Sequence, residues 1–308
     1  MARVVWVTRH GGPEVLTVRD DPDPVAGEGQ VVIGVEAVSV VYIETLARAG
    51  SFRGAEPPYV PGNGVGGVVT AVGAGVDPSW LGRSVVSQTG GTGGYASAVA
   101  VPASGLIPVP PGVSTLDATA LLADGRTAIG LFEAVKPTAG DRVLVLAAAG
   151  GLGTLLVQLC VAAGCEVVAA AGGPRKVALA QSLGAVEVVD YTASHWEFSI
   201  VDIAFDGVGG AVGSRALAAL RPAGQFVQFG LASGAPTVVD RTDVTVVGFQ
   251  TLGSLAGRAA QLTAQALDEA AAGRLRPVIG QTYPLEAAAE AHRAIEARTT
   301  LGKTLLIP

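Results

Sequence analysis

The sequence is poor in the residues that build metal centres and disulfide frameworks. Its 308 residues include two cysteines and three histidines. Cys160 and Cys165 cannot by themselves supply the four ligands of a structural zinc site. His10, His195 and His292 lie far apart, with no second ligand at helical spacing, so metal catalysis is not expected. A disulfide between the two cysteines is compatible with their number, but buried reduced thiols are favoured.

Charge and long apolar runs are also scarce. Charged residues make up 15% of the chain, and 20 basic against 26 acidic residues give a formal net charge of −6. No basic block interleaved with aromatics is present, which argues against a nucleic-acid partner. No apolar run reaches the length that spans a membrane, and the N-terminal segment Met-Ala-Arg-Val-Val-Trp has no signal-peptide profile. We therefore expect a cytoplasmic protein without a membrane partner.

What the sequence does contain is glycine and aliphatic residues in the pattern of a buried α/β fold. Hydrophobic residues make up 49% of the chain, 43 residues are glycine, and the length suits two domains. Over the first hundred or so residues, short β-rich segments alternate with turns, which predicts a barrel-like domain with one short helix at 42–49. Later, helical segments such as 116–122 and 126–135 alternate with strands, which predicts a parallel sheet covered on both faces. The final strand, residues 303–307, is expected to return to the first domain.

One stretch carries most of the information. A run of valine and leucine at 143–146 leads into Ala-Ala-Ala-Gly-Gly-Leu-Gly at 147–153, and an apolar helical pattern follows without a break. A strand, a tight turn and a helix N-terminus bind a pyrophosphate, because free N–H groups and the helix dipole offset its charge. Small residues also pack helices against strands, so the glycines alone are weak support. With the strand and the helix both readable, the stretch predicts a dinucleotide-binding turn.

The end of the next strand indicates which dinucleotide is bound. An NAD site places an acidic side chain about twenty residues past the glycines, where it binds the ribose hydroxyls. Between Glu166 and Glu187 this sequence has no acid, and the strand ends in Ala-Gly-Gly-Pro-Arg-Lys. A small-residue turn at Gly172 followed by Arg175 and Lys176 would hold a 2′-phosphate. The alternative is a solvated helix start, although cations there oppose the helix dipole. We therefore predict NADPH.

Together these features resemble the medium-chain dehydrogenase/reductase family, specifically its zinc-free quinone oxidoreductase branch. The resemblance runs nearly end to end, and besides the glycine turn and Lys176 it rests on residues 12–16, 61–62, 68–75, 183–185, 190–191, 206–209, 224–230 and 302–308. It implies an α/β fold in which a Rossmann doubly wound parallel sheet is inserted in a GroES-like β-barrel domain. The GroES-like catalytic domain would span residues 1–115 and return at 253–308, with the NADPH-binding Rossmann domain at 116–252.

The resemblance also implies a set of cofactor contacts. The pyrophosphate would lie on Gly150, Gly151 and Leu152. The 2′-phosphate would be surrounded by Lys176, Tyr191 and Arg298. Thr127 would lie beside the nicotinamide ribose, and the nicotinamide end would be lined by Val208, Phe229 and Gly230. For Tyr191 the sequence equally allows a half-buried aromatic side chain at a strand end.

Two further properties follow from the same resemblance. The zinc-dependent relatives carry ligands where this chain has Ser39 or Val40, Asn63 and Gly64, together with a four-cysteine lobe that is absent here. The zinc-free branch instead implies hydride transfer to a small hydrophobic quinone or unsaturated carbonyl held against the nicotinamide. Residues 244–249 are predicted to form an edge strand, and relatives commonly pair that edge across a two-fold axis, so a homodimer is expected.

The substrate end departs from the family pattern. Quinone oxidoreductases usually carry an asparagine and tyrosines where this chain has Val41, Leu46 and Phe52. One interpretation is a more apolar pocket for a hydrophobic enone. A tyrosine would then donate to the substrate, the candidates being Tyr42, Tyr59 and Tyr95.

A second interpretation is a redox-neutral enzyme on the same scaffold, performing an intramolecular conjugate addition or a cyclisation. Its acid, base and oxyanion groups would be Glu44, Asp124 and Arg126. Asp124 and Arg126 equally fit a local ion pair. A third interpretation is a protein that binds the cofactor without turnover. We predict NADPH-dependent hydride transfer, because the nucleotide site is complete.

Overall fold

The structure is a computed structural model that describes residues 1–52 and 54–308. The chain divides into two compact units, the first made of Met1–Ala123, Leu267–Ala271 and Val278–Pro308, the second of Asp124–Ala266 and Ala272–Pro277. The domain boundaries predicted after residues 115 and 252 stay a prediction.

The first unit is built mainly of strands. Its elements up to the first border are β1 (Ala2–Val7), β2 (Leu16–Asp21), β3 (Gln30–Val40), α1 (Tyr42–Arg48), β4 (Gly64–Val72), β5 (Ser84–Gln88), β6 (Ala98–Pro102), β7 (Ile107–Pro108) and the start of α2 (Thr115–Val135). Helix α1 ends as predicted at Gly50, which has a φ of 76°. Glycine adopts this left-handed conformation without steric cost, so it stops a helix efficiently.

Helix α2 corrects one prediction. Residues 116–122 and 126–135 do not form two helices, because Thr115–Val135 is a single α-helix. Gly125 lies inside it and is buried. A glycine costs a helix interior about 1 kcal/mol relative to alanine, which burial of the apolar side chains on either side can offset.

The second unit alternates strands and helices. Its elements are β8 (Arg142–Leu146), α3 (Gly151–Ala162), β9 (Glu166–Ala171), α4 (Pro174–Ser182), β10 (Glu187–Asp190), β11 (Val201–Asp206), α5 (Gly210–Ala218), β12 (Leu220–Gln228), β13 (Thr245–Val247), α6 (Phe249–Leu255) and most of α7 (Ala259–Ala271). The chain then returns to the first unit through β14 (Ile279–Pro284), α8 (Ala288–Glu296) and β15 (Lys303–Ile307).

The two main sheets confirm the predicted fold class. In the first unit the strand order is β14-β15-β3-β4-β5-β7, with β6 also paired to β3. The final strand β15 runs antiparallel to β3, with Leu305 opposite Ser39, as expected for a chain that returns to its first domain. In the second unit the order is β10-β9-β8-β11-β12-β13, and all its strand pairs are parallel. This is the doubly wound order, which reverses between β8 and β11.

Burial explains why β8 and β9 read as continuous apolar runs. Residues 143–146 and 167–170 are each completely inaccessible to solvent. Parallel strands covered on both faces need apolar side chains in both directions. Three elements were not predicted: β7, β14, and helix α6, which begins at Phe249 where the sequence suggested strand. No helix within the described ranges has the length and apolar character needed to cross a bilayer.

Candidate functional site

The glycine turn connects the carboxyl end of β8 to helix α3. Ala147 takes a positive φ of 53°, and the Gly150 N–H donates to its carbonyl oxygen at 2.9 Å. A Cβ on Gly153 would lie 2.2 Å from the same oxygen, so only glycine fits there. The Thr154 N–H donates to the Gly150 carbonyl at 2.9 Å. The N–H groups before it, at Gly151 and Leu152, belong to the first turn, where a helix has no internal acceptors to offer.

The next turn along the same sheet edge connects β9 to α4. Gly173 has a φ of 93°, and a Cβ on Gly172 would lie 3.0 Å from Thr192 and 3.1 Å from the Tyr191 ring. The ring of Tyr191 therefore lies close over Gly172. Lys176 is half-buried in the first turn of α4, where its N–H donates to the Gly173 carbonyl at 3.1 Å. The structure thus brings together Gly172 and Tyr191, which the sequence proposed separately.

Asp190 is a residue that the search for an acid missed. Its Oδ1 atom accepts from the Gly173 N–H at 2.9 Å and from the Thr192 N–H and Oγ1 at 2.9 and 2.6 Å. These hydrogen bonds, that from the Thr192 hydroxyl first, lower the pKa of the Asp190 carboxyl. The acid stands at the end of β10 and not of β9, so a search confined to the strand after the glycines could not find it. Its hydrogen bonds fix the shape of the β9–α4 turn.

The ends of β11 and β12 complete the edge. Asp206 is fully buried and accepts from the N–H groups of Val208 and Gly209 at 2.9 and 2.8 Å and from the Thr237 hydroxyl at 2.5 Å. A Cβ on Gly207 would lie 2.6 Å from the Phe229 ring. Gly230 is packed as tightly, since its Cβ would lie 2.6 Å from the Gly207 carbonyl oxygen. The Val208 side chain is buried in the core, and its backbone carbonyl accepts from the Ser233 N–H at 2.7 Å.

Three predicted residues lie on helix α2. Asp124, Arg126 and Thr127 are all half-buried. Burial lowers the pKa of the Arg126 guanidinium, and the charge of Asp124 opposes that shift. The local ion pair between Asp124 and Arg126 that the sequence allowed stays a prediction.

Glu44 lies inside the first unit. Its carboxylate accepts from the Val41 N–H at 3.1 Å, the Asn63 N–H at 3.1 Å and the Tyr95 hydroxyl at 3.0 Å. Burial raises the pKa of Glu44, while these donors and the charge of Lys303 oppose the shift. Glu44 is the third residue of α1 and reaches back to the N–H of the residue before the helix, which is the glutamate half of a capping box. A glutamate at the third position of a predicted helix therefore indicates, from the sequence alone, that Glu44 caps the helix.

The groups behind Glu44 continue the same buried cluster. The Tyr95 hydroxyl also lies 2.8 Å from Nε2 of His292, and both side chains are completely inaccessible to solvent. Burial lowers the pKa of His292 to about 3, so its imidazole is neutral. Arg48 is 1% exposed, pairs with Glu296 and donates to the Gly11 carbonyl at 2.8 Å. The prediction that Tyr95 could donate to a substrate is therefore wrong, because its hydroxyl is already hydrogen-bonded to Glu44 and His292 inside the protein.

Tyr42 has a different setting from the other tyrosines. The Tyr59 hydroxyl is buried, whereas Tyr42 is half-buried at the start of α1. Nη2 of Arg298 donates to the Tyr42 hydroxyl at 2.9 Å, and the guanidinium carbon lies 4.4 Å from the ring centroid. Arg298 follows α8 with a φ of 57°. Arg298 lies in the first unit and Lys176 in the second, so the predicted contact of Arg298 with the 2′-phosphate stays a prediction.

The positions of the zinc ligands of related enzymes are filled by packing. Asn63 Oδ1 accepts from the Gly91 N–H at 2.7 Å. A Cβ on Gly64 would lie 3.0 Å from Leu122 and 3.2 Å from Cβ of Ser39. Among the described residues, no group of three or more His, Cys, Asp or Glu side chains is placed to hold a metal ion.

Comparison with known proteins matches this architecture. Residues 27–111 match the alcohol dehydrogenase GroES-like domain, and residues 183–306 match a family described as zinc-binding dehydrogenase. The chain is 30% identical to the quinone oxidoreductase of Pseudomonas aeruginosa over 100% of both chains. It is 29% identical to the 2-haloacrylate reductase of a Burkholderia species, over 100% of this chain and 99% of that one. The structure of Escherichia coli quinone oxidoreductase complexed with NADPH has a TM-score of 0.91 at 27% identity, with 100% of both chains covered.

Proposed function

Because the chain belongs to the zinc-free quinone oxidoreductase branch of the medium-chain dehydrogenase/reductase family, we propose that it is an NADPH-dependent oxidoreductase of quinones or of the activated double bonds of α,β-unsaturated carbonyls. The observation that carries the proposal is the carboxyl edge of the second unit's sheet. Its turns are formed by glycines and hydrogen-bonded backbone, and the first N–H groups of α3 have no acceptor within the helix. A 2-haloacrylate is itself an activated double bond, so that relative supports the enone half of the proposal.

The residues at this edge fit the cofactor. The N–H groups of Gly151 and Leu152 at the start of α3 would hold the pyrophosphate, because they are the unpaired donors at the positive end of the helix dipole. Lys176 supplies a cation for the 2′-phosphate beside the ring of Tyr191. The backbone of Val208 and Gly230 and the ring of Phe229 would line the nicotinamide end, with Thr127 at its ribose.

The substrate is held by apolar groups and one phenol. When bound, NADPH supplies the hydride. Val41, Leu46 and Phe52 replace polar family residues with apolar ones, which suits a hydrophobic ring. Since Arg298 donates to the Tyr42 oxygen at 2.9 Å, the phenol keeps its own hydrogen to donate. We assign to Tyr42 Oη the proton that the substrate oxygen takes up, and to Arg298 the support of the phenolate that remains.

For the redox-neutral alternative, fewer residues are suited to act as acid, base or oxyanion groups than the sequence suggested. Glu44 is 8% exposed and its oxygens already accept from three donors, so it is poorly suited to exchange protons with a substrate. Asp124 and Arg126 keep half-buried charged side chains on α2 and stay the groups that such a reaction would use. A cofactor-binding protein without turnover is the third alternative.

The test is NADPH oxidation with a small panel of quinones and cyclic enones, with product measured in the same samples. We expect one reduced product for each NADPH consumed. Product formed at full rate with no NADPH oxidised would replace the proposal by the redox-neutral alternative. Tight NADPH binding with no oxidation across the panel would leave a binding protein. The matched variant is Tyr42→Phe, which should lower the turnover number with little change in NADPH affinity.

We also propose a homodimer that pairs β13 with its two-fold copy. Within the described residues, β13 pairs on one side with β12 and ends the sheet order, and Val246 on it is 43% exposed. An exposed edge strand is protected when a second copy pairs with it. Light scattering at micromolar concentration should give twice the chain mass, and Val246→Pro should give the monomer. A wild-type monomer would contradict the proposal.

A further inference from the structure

Helix α3 ends in a backbone motif that brings the two cysteines of the chain together. Gly164 has a φ of 80°, and its N–H donates to the Val161 carbonyl at 3.0 Å. The Cys165 N–H donates to the Cys160 carbonyl, also at 3.0 Å. These two bonds define a Schellman motif, in which the side chains at the positions of Cys160 and Cys165 pack on each other. The contact between the sulfurs is therefore a consequence of how the helix ends.

The two thiols are free, and they are hydrogen-bonded to each other. Cys160 is fully buried and Cys165 is 8% exposed. The Cys165 thiol donates to the Thr138 carbonyl at 3.4 Å. Because the same two residues share a backbone hydrogen bond, the intervening bond lengths keep their Cα atoms within about 7 Å, close to the range that a disulfide spans.

The two sulfurs are not equivalent. The hydrogen bond with Cys160 lowers the pKa of the Cys165 thiol, because it stabilises the thiolate. The same hydrogen bond, together with burial, raises the pKa of Cys160. The thiolate is the reactive form of cysteine. The sulfur that ionises first is thus also the one nearer the surface.

We propose that Cys160 and Cys165 form an oxidative modification site that takes hydrogen peroxide and closes a disulfide. The Cys165 thiolate attacks one peroxide oxygen, the O–O bond breaks, and the leaving oxygen takes a proton and departs as water. Cys165 is then a sulfenic acid. The Cys160 sulfur attacks it, and the sulfenic hydroxyl leaves with the Cys160 proton as a second water. Two thiols thus give two electrons and two protons to one peroxide.

The site is separate from the proposed cofactor edge and does not rest on the proposed function. The disulfide would join the end of α3 to the residue before β9, at the amino edge of the sheet, whereas Gly151 and Gly172 stand at the carboxyl edge. The simpler reading is that both cysteines serve as small apolar side chains closing the helix. The two readings differ in what peroxide does to the protein.

The experiment uses the full chain treated with hydrogen peroxide and then alkylated with iodoacetamide in denaturant. Both cysteines fall in one tryptic fragment, residues 143–175, since no lysine or arginine lies between Arg142 and Arg175. We expect that fragment to lose two hydrogen atoms in mass, to take up no alkyl group, and to recover both alkylation sites after dithiothreitol. A fragment that keeps two alkylatable thiols, under conditions that oxidise glutathione, would overturn the proposal.

Single variants test the order of the steps. Cys160→Ser should leave a sulfenic acid at Cys165 that dimedone traps, and Cys165→Ser should give at least about tenfold less adduct, because the remaining thiol is buried and poorly ionised. Equal dimedone labelling of the two variants, or a disulfide between chains on a non-reducing gel of the wild type, would contradict the assignment. The wild-type mass measurement decides the main point even where a variant folds poorly.

Discussion

The buried cluster around Glu44 in the first unit and the glycine-rich edge of the sheet in the second use polar groups in opposite ways. Around Glu44, the carboxylate, a phenol and an imidazole are hydrogen-bonded to one another, and the carboxylate also accepts from backbone N–H groups. At the sheet edge, carboxylates such as Asp190 and Asp206 hold the turns, while the first N–H groups of α3 remain for a ligand. The first region consists of titratable side chains that bond to one another, and the second of glycine turns with N–H groups suited to an anion.

This difference shows why residue type is a poor guide to the site. Glu44 has the chemistry of a general base, but a buried carboxylate with three donors stabilises the fold and is costly to protonate or to move. Gly151 has no side-chain chemistry, yet the backbone it exposes is what an anion binds. If the contrast holds, substitutions in the Glu44 cluster should lower the free energy of unfolding, and substitutions at the sheet edge should lower NADPH affinity.

The largest expected effect is at the edge. Gly151→Val places a branched side chain where the pyrophosphate must approach, and loss of two charge-assisted hydrogen bonds at about 1.5–3 kcal/mol each lowers NADPH affinity by roughly 10²–10⁴-fold. The unfolding midpoint should stay near that of the wild type. Calorimetric titration and urea unfolding measure the two quantities. Gly253→Ala is the control, because a Cβ there meets open space. Unchanged NADPH affinity in well-folded Gly151→Val would place the phosphates elsewhere.

The second effect is in the cluster. Glu44→Gln turns an amide NH₂ toward donors that had faced a carboxylate oxygen, so we expect a loss of about 2–4 kcal/mol in the free energy of unfolding. Turnover per folded molecule should fall only modestly. Asp124→Asn is the matched carboxylate-to-amide change on α2 and should leave both quantities near wild type. A nearly inactive Asp124→Asn that forms no product would instead support the redox-neutral reaction, where one acid or base supplies about 10²–10⁴-fold.

The same contrast explains what the sequence could and could not reveal. The glycine turn, the parallel sheet and β15 were predictable, because each depends on residues that are neighbours in the sequence. For the glycine turn the pattern is an apolar run, then glycines, then helical spacing. The partners of Glu44 were not, since Tyr95 and His292 stand 51 and 248 residues away from it along the chain. The roles of Asp190 and Asp206 depend on backbone N–H groups of turns that exist only in the fold.

The third effect tests the cation at the edge. Lys176→Ala removes a charge-assisted contact worth about 1.5–3 kcal/mol, so NADPH affinity should fall by about tenfold or more while NADH affinity changes little. The wild type should prefer NADPH at least about tenfold. Calorimetry with both cofactors gives the ratio, and Arg19→Ala, which removes an exposed cation on β2, is the control. Equal wild-type affinities for the two cofactors would remove Lys176 from the site.

The smallest expected effect is a change in how the free energy of unfolding depends on pH, and it arises from His292 in the buried cluster. His292 has a pKa of about 3 in the folded chain, against about 6.5 for an unfolded histidine. Between these values the unfolded chain binds a proton that the folded chain does not, so this contribution to stability is complete above pH 6.5 and is lost as pH falls toward 3. The raised pKa of Glu44 gives a slope of the opposite sign above about pH 4.5.

The variant His292→Gln has no titratable side chain at this position. Comparing it with the wild type therefore separates the effect of the His292 imidazole from that of the Glu44 carboxyl. His292→Gln keeps a side-chain N–H for the Tyr95 oxygen, so the free energy of unfolding should fall less steeply from pH 6 to pH 5, by about 1 kcal/mol per pH unit relative to wild type. Urea unfolding at each pH measures it. His195→Gln, at an exposed position, is the control variant. If His292→Gln and wild type lose stability in parallel, the imidazole is protonated in the fold, and the cluster is not as closed to solvent as its hydrogen bonds imply.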